Sequence, residues 1–179
     1  MKPYQPDGVW EAVSMGGNTS KYKRDTGDAL YRRSMYWFWK RSAPPASMEI
    51  FNAPSRENCT VKRERTNTPL QALVTLNDPQ FVEAARVLAD RAIQAAATDD
   101  ARIDLIARRV LSRPFAPEEL AVVKRSLSDL SAWYGDHAQE AKQLIAVGDA
   151  KPMTADSVQL AAWTMLTNQL MNLDEVLCK

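Results

Sequence analysis

Two cap-and-proline pairs, Thr68-Pro69 and Asp78-Pro79, constrain this chain more than any other feature. A Thr or Asp side chain can accept the orphan N–H groups of a first helical turn. The proline that follows lacks an N–H and has its φ already set for a helix. Gln71 completes a Thr-x-x-Gln capping box, so the spacing predicts a helix from Pro69 to Asn77 carrying Leu70, Ala72, Leu73 and Val74. A second helix is predicted from Pro79, with Phe81, Ala85, Leu88 and Ala92 on one stripe, widened by Val82, Ala89 and Ile93. A residue before proline avoids the helical region, so Asp78 breaks the path between the two.

The same logic extends downstream. Thr98-Asp99-Asp100 starts a third helix that buries Ile103, Ile106 and Val110, its acids complementing the helix dipole. Arg113 to Pro117 forms a stiff corner, and Pro117-Glu118-Glu119 opens a fourth helix with Leu120, Val123, Leu127, Leu130 and Tyr134 at helical spacing. The sole histidine, His137, lies in a polar string that reads as a solvated helix start. Residues 138–147 form a fifth helix, with Gly148 as its C-terminal cap. Thr154 is expected to cap the last helix, which is apolar nearly all round from Leu160 to Leu166 and therefore central.

Upstream the patterning is weaker. Pro3 and Pro6 break any early helix, Val9 to Met15 offers a turn or two around Trp10, and Gly16-Gly17-Asn18 signals a loop. Between Leu30 and Trp39 the alternation of Met35, Trp37 and Trp39 with Tyr36 and Phe38 favours a strand, with an aromatic-belted helix as the alternative. Ser47 to Phe51 reads as a helical turn. The expected fold is mainly α: an orthogonal or irregular bundle of about five to six helices over 67–179, behind an extended, aromatic-rich and basic arm over 1–66, with one or two short strands as an option. The two parts are expected to make one structural domain.

Composition sets the function classes. The chain has 179 residues, 45% hydrophobic and 25% charged, ordinary for a soluble domain. Its net charge of +1 conceals an asymmetry: residues 1–68 hold 12 Lys/Arg against 7 Asp/Glu, the rest 11 against 15. A basic part beside an acidic part can dock internally or face an anionic partner. One histidine and two distant cysteines, Cys59 and Cys178, supply no zinc spacing and no haem-attachment motif, so no metal is assigned. No apolar run approaches the roughly 18 residues of a membrane span. Neutral pI and the lack of a nucleic-acid motif argue against nucleic-acid binding.

Two groups of residues remain as candidates. Arg56, Arg63, Arg65 and Asn67 stand beside capped helix starts, where directed donors bind carboxylate or phosphate; the competing reading pairs the arginines with acids of the same domain. Trp37 and Trp39 offer rings for a carbohydrate, against a plain role in the core. Glu49, Glu57 and Glu64 supply carboxylates, but no spacing selects a catalytic pair.

The stretches KPYQPDGVW, ALYRRSMYWFWKRSAPPASMEIFNAPSRENCTVKRERTNTPLQALVTLNDPQFVEAAR, VLSRPFAPEEL and LMNLDE closely resemble a family from planctomycete and related genomes, domain of unknown function 1553 or planctomycete surface domain one. The matching family positions are Arg63, Arg65, Thr66, Asn67, Pro69, Gln71, Asn77, Asp78 and Pro79. The resemblance implies the C-terminal domain of a secreted, multi-domain, cytochrome c-like protein. Haem c is then expected only in the full-length parent, with no cofactor in this chain, and the location is expected to be extracytoplasmic although this sequence carries no signal peptide. The chain resembles a C-terminal fragment of such a parent. Its expected partners are the parent's N-terminal part or haem domain, with an anionic or carbohydrate ligand as a further option. An accessory or interaction role is the preferred expectation. The alternatives are part of an active site for an anionic polymer, using Arg63, Glu64 and Arg65, and a carbohydrate-binding module. No reaction is established for the family.

Overall fold

The computed structural model describes residues 1–5, 10, 22–40 and 43–178. The chain divides into two compact units, Met1–Thr66 and Asn67–Lys179. Among the described residues all regular structure is helical: α1 (Ala46–Ile50), α2 (Pro69–Asn77), α3 (Pro79–Ala95), α4 (Asp99–Val110), α5 (Pro117–Asp136), α6 (Ala138–Ile145), α7 (Ser157–Met171) and α8 (Asp174–Leu177), with two 3-10 turns at Gly27–Tyr31 and Ser34–Tyr36. The mainly helical fold is as the patterning predicts.

The N-terminal unit is built around Trp10, only 2% exposed, with Leu30 and Pro45 also buried. Tyr22 and Phe38 meet the Trp10 ring edge-on, at centroid distances of 4.7 and 5.4 Å. Such edge-to-face pairs add about 0.5–1.5 kcal/mol each beyond their buried area. The strand expected over Leu30–Trp39 does not form. Two 3-10 turns shorten this segment, and only isolated bonds such as Phe38 N to Met1 O, 2.7 Å, replace a ladder. Alternation specifies a strand only when a partner strand pairs with it, and none does so here. The helical turn expected from Ser47 is present as α1. The turn expected over Val9–Met15 lies outside the described residues apart from Trp10.

The C-terminal unit is a bundle around α7, which packs against α2, α3, α4, α5 and α6. Leu160, Ala161, Ala162, Trp163, Leu166 and Leu170 are all buried there, as an all-round apolar helix requires. The main core joins Ala89 and Ala92 of α3, Ile103 and Ile106 of α4, and Val123 and Leu127 of α5 to this helix. The first two helix starts follow the sequence closely. Thr68 Oγ accepts from Gln71 N at 3.3 Å while Gln71 Oε1 accepts from Thr68 N at 3.0 Å, and Asp78 accepts from Gln80 N at 2.8 Å. At α5 only half of such a box exists, because Ala116 has no side-chain acceptor; Glu119 Oε2 accepts from Ala116 N at 2.7 Å.

Three expectations are corrected. Asp156, not Thr154, caps α7, accepting from the N–H groups of Val158 and Gln159. The helix before it ends at Ile145 rather than Val147. Gly148, at φ +90°, lies beyond that end, where a Cβ would sit 2.3 Å from Glu83 Cδ. The third concerns α3. Its buried face includes Glu83, Arg86 and Asp90 as well as Val82, Ala85, Ala89 and Ala92.

These three charged groups fasten the 147–154 loop to α3. Glu83 accepts from Ala150 N at 2.5 Å, and Arg86 Nη2 donates to Ala150 O at 2.6 Å and Val147 O at 3.3 Å. Asp90 accepts from Met153 N at 2.6 Å, and from Thr154 N and Oγ1 at 3.0 and 2.5 Å. Thr154 is thereby committed to Asp90, which leaves the α7 cap to Asp156.

Candidate functional site

The arginines singled out in the sequence sit on a surface loop of the N-terminal unit. Residues 55–65 are exposed throughout, and Val61 has no covered surface at all. The ends of this loop are tied together: Asn52 Nδ2 donates to Thr66 Oγ1 at 2.7 Å, across fourteen residues. Asn52 adopts φ +54°, a left-handed conformation that asparagine tolerates better than most residues. Exposed loops held by a fixed scaffold are where binding residues are often carried. Proline at 54 helps the chain leave α1 for the loop.

Within the loop the candidates fall into different positions. Arg56, at φ +65°, lays its guanidinium over the Trp39 ring, 4.5 Å from the centroid. That contact fastens the base of the loop to the aromatic segment. Arg63 and Arg65 lie at its C-terminal end, beside the tie at Thr66; both are exposed, and neither makes an ion pair or side-chain hydrogen bond with any described residue. Lys62, Arg63, Glu64, Arg65 and Thr66 line a shallow hollow of about 410 Å³. Asn67 belongs to the other unit, where its Nδ2 donates to Asp174 Oδ1 at 3.0 Å. Its side chain is therefore taken up by a helix-start acid.

Trp39 carries Arg56 on one face, and Trp37 is half-buried with its indole N–H shut away from solvent. Cys59 is exposed on the loop and Cys178 is half-buried, its Sγ donating to Asp174 Oδ1 at 3.4 Å; neither is in a disulfide among the described residues. Glu49 lies on α1, while Glu57 and Glu64 are exposed on the loop.

Sequence reasoning missed the Asn52–Thr66 tie, because two polar residues fourteen apart carry no periodic signal. It also missed a second concentration of charge at the 113–119 corner. There Arg113 is held by two carboxylates: Nη1 and Nη2 bond Glu119 at 2.8 and 2.9 Å, and Nε and Nη2 bond Glu175 at 3.0 and 2.7 Å. The Arg113 hydrogen bonds, followed by the Ala116 N–H, hold the Glu119 carboxyl down at about 2. Asp78 shows the opposite balance, its burial pushing the carboxyl up against the two N–H groups that pull it down.

The chain is a mainly helical protein with a basic exposed loop on its N-terminal unit; among the described residues no group of His, Cys, Asp or Glu could hold a metal ion, and no helix is long and apolar enough to cross a membrane. Residues 1–127 match the PSD1 family, described as a protein of unknown function (DUF1553), and the chain belongs to that family. No curated protein and no solved structure matches it.

Proposed function

We propose that this chain is an accessory interaction domain that docks through the loop closed by Asn52 and Thr66, with Arg63 and Arg65 meeting an acidic surface on its partner. The observation that carries this reading is the pair of solvated arginines with no acid among the described residues bound to them, held on a loop whose ends are tied. Guanidinium forks aimed outward match carboxylates in geometry and charge. The family resemblance supports the choice of partner, the haem-bearing, extracytoplasmic remainder of a multi-domain parent. The resulting contact is electrostatic, so it gains association rate and orientation more than raw affinity.

The reading is tested by measuring association of the purified chain with the separately produced haem-bearing part of the parent. Binding should weaken steeply as salt rises from about 50 to about 300 mM, since screening shortens the reach of exposed charges. Arg63→Glu with Arg65→Glu should abolish it while leaving the thermal midpoint unchanged. Salt-insensitive binding, or full binding by the double variant, would refute the proposal. The active-site and carbohydrate alternatives have less behind them: both tryptophans are half-buried, and Arg56 covers one face of Trp39.

A further inference from the structure

The C-terminal unit holds a pocket that the loop reading leaves unused. It lies between the Arg113–Phe115 corner, the first half of α5, the end of α7 and the start of α8, and has a volume of about 480 Å³. Phe115, Val122, Leu166, Leu170 and Leu173 form its walls. The apolar surface does not stop at the mouth, because Val122 is 67% and Leu173 39% exposed. Contiguous apolar surface rimmed by polar residues is a common setting for ligand or partner binding.

The rim is polar and its charge is one-sided. Among the described residues that line it, Glu119, Asp174 and Glu175 stand against one cation, Arg113. All five Arg113 N–H groups are engaged, by Glu119, Glu175 and Pro114 O, so it has no donor left for an anionic ligand. What the rim keeps is negative charge, since one guanidinium is shared between two of its three carboxylates. An apolar trough with an acidic rim complements apolar side chains that are flanked by Lys or Arg.

We infer that this pocket docks a polypeptide segment presenting leucine-sized side chains beside basic residues, the helix-in-groove mode of recognition. The α5 and α7 walls are rigid core elements, and Leu166 and Leu170 are already buried, so the partner's side chains would enter a preformed surface. The Arg113 clamp fixes two of the three carboxylates in place before binding. The site shares no residue with the 53–65 loop, so either proposal can fail alone.

The test is an NMR titration of the isotope-labelled full chain with a short helical Leu/Lys peptide and its Leu/Glu counterpart. The Lys peptide should shift the amides of Val122, Leu170 and Leu173 and bind at least about tenfold tighter than the Glu peptide. Val122→Lys and Leu173→Lys replace exposed side chains; each should weaken the Lys peptide by about tenfold or more while circular dichroism and thermal midpoint stay unchanged. Equal affinity for both peptides, or shifts confined to other surfaces, overturns the inference. So does binding of dodecyltrimethylammonium at these amides without binding of the Lys peptide, which would make the site a small-amphiphile pocket.

Discussion

At the scale of single residues, Arg86 shows why charge is a poor guide to exposure. It is 1% exposed, beside Glu83 at 3.7 Å, and both bond the backbone of the 147–150 segment. Burying two opposite charges is costly, but removing one of them leaves the other desolvated and unpaired. Arg86→Met should therefore cost about 3–5 kcal/mol, read from urea unfolding midpoints at neutral pH. A loss under about 1 kcal/mol would mean that Glu83 finds a partner or water elsewhere. Nothing in the sequence marks this residue, since periodicity sorts side chains by polarity and assigns Arg to solvent. The backbone groups that justify its burial come from sixty residues downstream.

Among the elements, α2 separates what capping determines from what packing determines. Its start and end are those expected from Thr68-Pro69 and Asp78, because cap chemistry is local. Its buried face is not the leucine face. Gln71 and Thr75 are buried, with Thr75 Oγ1 donating to Asn172 Oδ1 at 2.9 Å and Asn168 Nδ2 donating to Thr75 O at 3.1 Å, while Leu70 and Leu73 are 60% and 58% exposed. Thr68→Ala should cost about 1 kcal/mol, whereas Leu73→Ser should stay within about 0.5 kcal/mol, both by thermal unfolding. The start of α5 adds a pH dependence. Glu119 is held at about 2 in the folded chain against an ordinary value of 4.5, so its contribution is complete above about 4.5 and disappears as pH falls from there toward 2. Unfolding midpoints taken from about pH 6 down to about pH 2 should fall less steeply in Glu119→Gln than in the parent chain.

For the whole molecule, the exposed loop over 55–65 makes a direct prediction. Limited trypsin treatment should cut first after Lys62, Arg63 or Arg65, long before Arg86, as mass spectrometry of early fragments would show. First cuts inside α3, after Arg86 or Arg91, would contradict the described exposure. The helical class, the start of each of the helices α2, α3 and α4, and the central place of α7 were determined by the sequence alone, because caps, prolines and apolar periodicity act within a few residues. Distant partners decided the rest. The aromatic alternation became 3-10 turns for want of a pairing strand; Glu83, Arg86 and Asp90 turned inward because the 147–154 backbone met them; Asn52 and Thr66 closed a loop across fourteen residues. Local chemistry can specify where a helix begins, but whether a charge is buried or presented depends on groups that only the folded chain brings to it.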